Sequence, residues 1–408
     1  MKNVTITGQG VISSLGLDLD SFIAGLEGGV IESARSEYAE EAGTKNLFAS
    51  RIRNFDPNPW MNERVVNGTD PFAQFAIAAA VQAVENSGIG DLDPLRTAVV
   101  MGTSMAGAGS LYDAQDAYNR EGFDGVPRKL QLLAWPNMAA GQIALRWALH
   151  GPLLTISTAC ASSIDAIGVA ARMIESGQAD VAIAGGTDFG GAKISQLSAV
   201  RFGMSPTHVE DPHMVCRPFD RNRVGIISGE GAGVLILESV EHARRRGATV
   251  HGLVSGYASL SDGYHPSSPD PSGDWEVAAM EAAQAEAGLR PQDVGAVVAH
   301  GTGTPVGDTA EITALNRVFA DKGAEVVATS IKGNVGHTAG AAGVMGMMAG
   351  LNVFKSGALV PTASTTDLDE DIRFAVPLGR PGAVDTNAVQ VNGFGFGGQD
   401  ASIVLSRA

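Results

Sequence analysis

The chain has 408 residues, 44% hydrophobic and 18% charged, with 28 Lys+Arg against 44 Asp+Glu and a net charge of −16. That length and apolar fraction allow two or three domain-sized units around a large core, and the acidic balance argues against a nucleic-acid or anionic-membrane surface. Two cysteines, Cys160 and Cys216, build no disulfide framework and fit a reducing cytoplasm.

In chain order, residues 1–8 hold no long apolar run, so no signal peptide is expected. Residues 4–12 read as a strand. Residues 71–86 carry apolar positions at helical spacing and stop at Ser87-Gly88. Strands are expected at 97–101, 153–156, 180–184 and 233–237, with a basic helix at 240–246. The pattern then restarts. Strands at 251–257, 294–299 and 326–330 alternate with helices at 274–287, 309–319 and 339–354, and strands at 388–392 and 401–406 close the chain. The most apolar run, 339–354, is too short and glycine-rich to span a bilayer and reads as a buried helix. Alternation of this kind implies sheets covered by helices in a duplicated α/β architecture, split as 1–248 and 249–408.

Thr158-Ala159-Cys160-Ala161-Ser162-Ser163 is the chemical centre of the first half. The apolar strand before it reads as buried. After it, Ile164, Ile167, Ala171 and Ile174 recur at helical spacing up to Gly177. The cysteine therefore sits at a strand-to-helix turn, where free N–H groups and the helix dipole lower a thiol pKa. A small buried cysteine ending a strand fits the stretch equally well. The second half places two histidines in glycine-flanked loops after apolar strands: His300 in His-Gly-Thr-Gly-Thr-Pro, and His337 closing Lys332-Gly333-Asn334-Val335-Gly336-His337. Gly393–Gly398 matches G-x-G-x-x-G in form only, because a strand rather than a helix follows. No Cys/His spacing suits zinc, and no metal is expected.

These residues resemble the β-ketoacyl-acyl-carrier-protein synthases, condensing enzymes of the thiolase superfamily, over essentially the whole chain. The resemblance rests on Thr158-Ala159-Cys160, Arg217-Pro218-Phe219-Asp220, Gly229-Glu230-Gly231-Ala232-Gly233, His300-Gly301-Thr302-Gly303-Thr304, Lys332 to His337, and Gly395-Phe396-Gly397-Gly398. It implies a thiolase-like αβαβα layered sandwich of two duplicated halves. It implies that Cys160 accepts the acyl group and that His300 and His337 serve decarboxylation. Lys332 and Glu311 would form an ion pair beside them. The N–H groups of Cys160 and Phe396 would form the oxyanion hole, with Phe396 the gate between Gly395 and Gly397. Asp262 would lie on a second gating loop, and Met105 would limit a partner's acyl pocket.

The resemblance further implies no bound cofactor, substrates carried on the phosphopantetheine of an acyl carrier protein, and carrier docking at Arg128, Lys129 and Arg64. The expected assembly is a homodimer or a heterodimer with a chain-length-factor homologue, in the cytoplasm, with no nucleic-acid or membrane partner. The family usually has Thr-Asn after Gly-Phe-Gly-Gly, and this chain has Gln399-Asp400. Ala161-Ser162-Ser163-Ile164-Asp165 is closer to polyketide than to fatty-acid condensing subunits. A thiolase or acyltransferase using coenzyme A is the weaker alternative, because thiolases use one histidine and a second cysteine and Cys216 lies in no such motif. A non-catalytic scaffold would have no need of Cys160, His300 and His337.

Overall fold

The computed structural model describes residues 4–408, so Met1, Lys2 and Asn3 of the signal-peptide reading lie outside the described residues. Ten strands form one sheet: β1 (Val4–Ile12), β2 (Thr97–Gly102), β3 (Leu153–Ile156), β4 (Val181–Asp188), β5 (Gly231–Ser239), β6 (Gly252–Ser261), β7 (Ala296–Val298), β8 (Val327–Thr329), β9 (Ala388–Gly395) and β10 (Gln399–Ser406). Their order is β8-β7-β9-β10-β6-β1-β5-β4-β2-β3. In the first unit β1 runs antiparallel to β5, β5 antiparallel to β4, β4 parallel to β2 and β2 parallel to β3. The second unit repeats that order and those directions with β6, β10, β9, β7 and β8. The units join where Val4, Thr5 and Ile6 pair with Val254, Leu253 and Gly252.

Seven helices matter for the site: α1 (Pro71–Ser87), α2 (Met138–Arg146), α3 (Ser162–Glu175), α4 (Lys193–Phe202), α5 (Asp274–Ala287), α6 (Pro305–Val318) and α7 (Ala342–Ser356). α1 and α2 cover the outside of the first unit, and α5 and α6 the outside of the second. α3 and α7 pack on each other and touch strands of both units, forming the middle layer of an αβαβα sandwich. This position explains why 339–354 is so apolar: α7 is buried nearly all round. Gly343 brings α7 against α3, because a Cβ there would fall 2.4 Å from Ile164 Cγ1. No helix of the described residues is long and apolar enough to cross a membrane.

The duplication extends to the turns. Ala159 and Ala339 both take positive φ, +49° and +47°, and each opens a short 3₁₀ turn leading into α3 or α7. Cys160 in one turn corresponds to Gly340 in the other. One expectation is corrected: β3 is not buried. It is the edge strand of the sheet, with Leu153 47% and Leu154 41% exposed, because no strand among the described residues lies beyond it. The sequence reading also passed over α2 and α4, whose apolar residues are diluted by polar ones.

Candidate active site

Cys160 is fixed by its own turn. Ser162 Oγ accepts the Thr158 N–H at 2.9 Å and donates to the Ala159 carbonyl at 2.6 Å. The Thr158 hydroxyl donates to Asp165, which also accepts the Tyr257 hydroxyl at 2.8 Å. These bonds hold Ala159 in a backbone region that non-glycine residues rarely occupy. β9 lies directly against the turn. A Cβ at Gly395 would sit 3.1 Å from both the Cys160 nitrogen and the Thr158 oxygen.

His337 Nε2 is 3.0 Å from Cys160 Sγ, and the His300 and His337 rings are 5.5 Å apart in an edge-on arrangement. The tautomers follow from their neighbours. The Ala339 N–H donates to His337 Nδ1 at 3.2 Å, so the His337 proton is on Nε2. The Lys332 ammonium, a donor only, lies 3.5 Å from His300 Nδ1, so His300 also carries its proton on Nε2. Burial, reinforced by Lys332, holds His337 down to about 3 and His300 well below the usual imidazole range. Both rings are therefore neutral donors at neutral pH, suited to an enolate or thioester oxygen rather than to strong-base work.

The thiol departs from expectation. Cys160 keeps an edge open to the cleft, yet protein crowds its sulfur. Burial pushes it up to about 11, against the opposing pull of Lys332 and of the backbone N–H groups of Phe396 and Cys160. Desolvation outweighs the helix terminus. Those two N–H groups lie near the sulfur, on the side where the carbonyl oxygen of an attacked thioester would carry the developing charge.

The Lys332–Glu311 pair is likewise corrected. Among the described residues they form no direct ion pair. Lys332 Nζ donates to the His300 carbonyl, while Glu311 accepts the N–H groups of His300 and Gly301 at 2.8 and 2.6 Å. Both brace the His300 loop from opposite sides. Burial raises Glu311 to about 7. Sγ of Cys160 and the nitrogens of His300 and His337 lie within 4.8 Å of one another, a set that a thiophilic metal could also span. Sequence spacing could not reveal this, because the three come from separate loops.

Of the other predicted residues, Phe396, Asp262 and Met105 line the cleft, whereas Arg64, Arg128 and Lys129 lie outside its lining. Phe396 is 43% exposed and packs against Phe202 of α4, ring centroids 5.8 Å apart. Gly397 and Gly398 both take positive φ, and Asp262 donates its N–H to the Gly398 carbonyl at 3.1 Å, so the two expected gating loops touch. Met105 is exposed at the cleft mouth. Arg64, Arg128 and Lys129 are exposed, and Lys129 Nζ comes close to Gly68 just past the Arg64 helix, Glu63–Val66. Cys216 is buried under the His300 loop and pushed up to about 12.

Two organising carboxylates were missed. Asp188, at the end of β4, accepts the Ser104, Met105 and Gly340 N–H groups at 2.8, 2.8 and 2.6 Å, tying β2 to the turn before α7. Asp308 accepts the N–H groups of Phe219 and Thr302, each at 2.8 Å, which links the Arg217–Asp220 motif to the His300 loop. The available signal was an acid at the end of an apolar strand for Asp188 and one in the first turn of a helix for Asp308.

Comparison with known proteins gives a consistent result. Residues 1–243 match the family model described as Beta-ketoacyl synthase, N-terminal domain, and residues 251–366 the corresponding C-terminal domain. The chain is 33% identical over 416 residues to 3-oxoacyl-[acyl-carrier-protein] synthase 2 of Coxiella burnetii, covering 100% of this chain and 99% of that one. It is 32% identical over 414 residues to the protein of that name from Vibrio cholerae, with 100% and 99% covered. Among solved structures, the ishigamide ketosynthase/chain length factor superposes with a TM-score of 0.92 at 29% identity, covering 100% and 99%. A type II PKS acyl-carrier protein in complex with its ketosynthase gives 0.91 at 25% identity, also covering 100% and 99%. With both family domains matched and the fold superposing end to end, the chain belongs to the β-ketoacyl synthase family of acyl-transferring condensing enzymes.

Proposed function

We propose that this chain condenses an acyl group held on Cys160 with malonyl-acyl carrier protein by decarboxylative Claisen chemistry. The observation carrying this reading is the convergence of one cysteine, two neutral Nε2–H donors and two backbone N–H groups at the end of one cleft. Cys160 sulfur, on losing its proton, attacks the acyl thioester carbonyl. The oxyanion is held by the N–H groups of Cys160 and Phe396, and the pantetheine thiol leaves with a proton. Loss of carbon dioxide from the malonyl thioester then breaks a C–C bond, and its electron pair becomes an enolate. The two Nε2–H groups bind the enolate oxygen. Its carbon attacks the Cys160 acyl group, forming the new C–C bond and releasing the sulfur.

The substrates are carrier-bound, on the phosphopantetheine of an acyl carrier protein in the cytoplasm, and Arg64, Arg128 and Lys129 are the docking residues. Residues 1–248 supply the nucleophile and 249–408 the histidines. A polyketide role is favoured over fatty-acid elongation by the Ala161–Asp165 stretch and by Gln399-Asp400. The exposed edge strand β3 supports pairing with a second chain, either a copy or a chain-length-factor homologue.

The test is intact-mass analysis after incubation with a panel of acyl carriers. The wild-type protein should gain the acyl mass, and Cys160→Ala should lose it completely. An adduct that persists on Cys160→Ala, or that maps to Cys216, overturns the assignment.

A further inference from the structure

The cleft of about 490 Å³ that contains Cys160 is apolar along much of its wall but also includes Glu276 and Asp400. Each of the two is only 3% exposed. Glu276 Oε2 and Asp400 Oδ2 are buried without any hydrogen-bond partner. Burial is the first cause of the raised pKa of each, with Asp400 at about 7 and Glu276 well above the usual carboxylate range. The charges that reinforce it are all acidic: Asp262, Asp270, Asp308 and Glu311. Buried carboxylate oxygens are ordinarily satisfied by donors or cations. Here the cleft, not the protein, is where a partner can enter.

We propose that Glu276 and Asp400 form an acidic subsite that receives an ammonium group carried on the thioester substrate. The inference rests on the reading that Cys160 takes an acyl group in this cleft. An alkylammonium supplies three donors and a positive charge, which complements two unpartnered carboxyl oxygens in an acidic surround and favours release of the proton that burial holds on Glu276. The apolar wall accommodates the methylene chain between that group and the thioester. Hydrocarbon acyl groups of the same length would leave both oxygens unpaired, so the subsite discriminates by a polar mismatch, the strong kind of discrimination.

The experiment compares the 6-aminohexanoyl N-acetylcysteamine thioester, whose amine is too distant for ready lactam closure, with the heptanoyl one, measuring the rate of adduct formation on Cys160 by intact mass. The amine-bearing chain should react at least about tenfold faster, and the ratio should fall towards one in the Glu276→Gln/Asp400→Asn double variant. A wild-type ratio near one, or a preference that survives in the double variant, overturns the subsite while leaving acylation of Cys160 standing. Thermal melting of the wild-type protein decides the matter without any variant. 6-Aminohexanamide should raise the melting temperature where heptanamide does not. Equal stabilisation by potassium or magnesium chloride at the same charge concentration would instead identify an inorganic cation site and overturn the substrate assignment. If neither thioester acylates Cys160, the acylation reading fails, and the melting comparison still tests the subsite.

Discussion

At the residue scale, the resting site is a neutral thiol beside two neutral imidazoles. A thiol pushed up to about 11 is ionised in only roughly one molecule in 10⁴ at pH 7. Because the thiolate is the reactive form, alkylation of Cys160 by iodoacetamide should rise about tenfold per pH unit from 7 to 10 without a plateau. A plateau near pH 8 would mean that the helix terminus and Lys332 outweigh burial after all. The histidines give a separate expectation. Each donates through Nε2–H, so neither is needed as a base for self-acylation. Replacing His300 or His337 by alanine should slow carbon dioxide release from malonyl carrier by on the order of 10²–10³, and slow acyl transfer to Cys160 far less. Equal loss in both half-reactions would reveal a general structural role.

At the scale of elements, the site depends on how closely β9 approaches the β3–α3 turn. Gly395 permits that approach, and the N–H that follows it, from Phe396, is directed at the Cys160 sulfur. A methyl group at Gly395 would press on the Cys160 nitrogen and the Thr158 oxygen at 3.1 Å. The Thr158–Asp165–Tyr257 bonds leave the turn little room to yield. Gly395→Ala should therefore lower acylation by about tenfold, since contacts of 3.1 Å force a shift of a few tenths of an ångström at the reacting group. The melting temperature, checked by calorimetry, should fall by only a few degrees. Full activity in that variant would show that the two N–H groups need not be aligned.

At the scale of the whole molecule, the proposed function requires this acidic chain to bind an acidic carrier protein. Long-range repulsion is overcome only where cations cluster, and Arg128, Lys129 and Arg64 are exposed cations outside any described ion pair. Carrier affinity should fall as salt rises, and Arg128→Glu/Lys129→Glu should raise KM for carrier substrates about tenfold or more, measured by steady-state condensation. Turnover of a short pantetheine thioester, which needs no docking, should survive the change. Loss of both activities together would place these residues in folding rather than docking.

The sequence by itself determined the alternation of strands and helices, the duplication, and the loops that carry Cys160, His300 and His337. These are local properties: apolar periodicity, glycines at turns, and motifs a few residues long. Tertiary structure decided the rest, because burial and pairing depend on residues far apart in the chain. It placed β3 at the edge of the sheet, although its composition reads as core. It turned the helix-terminal cysteine into a high-pKa thiol, since desolvation is set by everything packed around the sulfur. It separated Lys332 from Glu311 and gave each a backbone partner on the His300 loop. It also brought Glu276 of α5 and Asp400 of β10 to one cleft, two acids 124 positions apart in the sequence whose meeting no local pattern encodes.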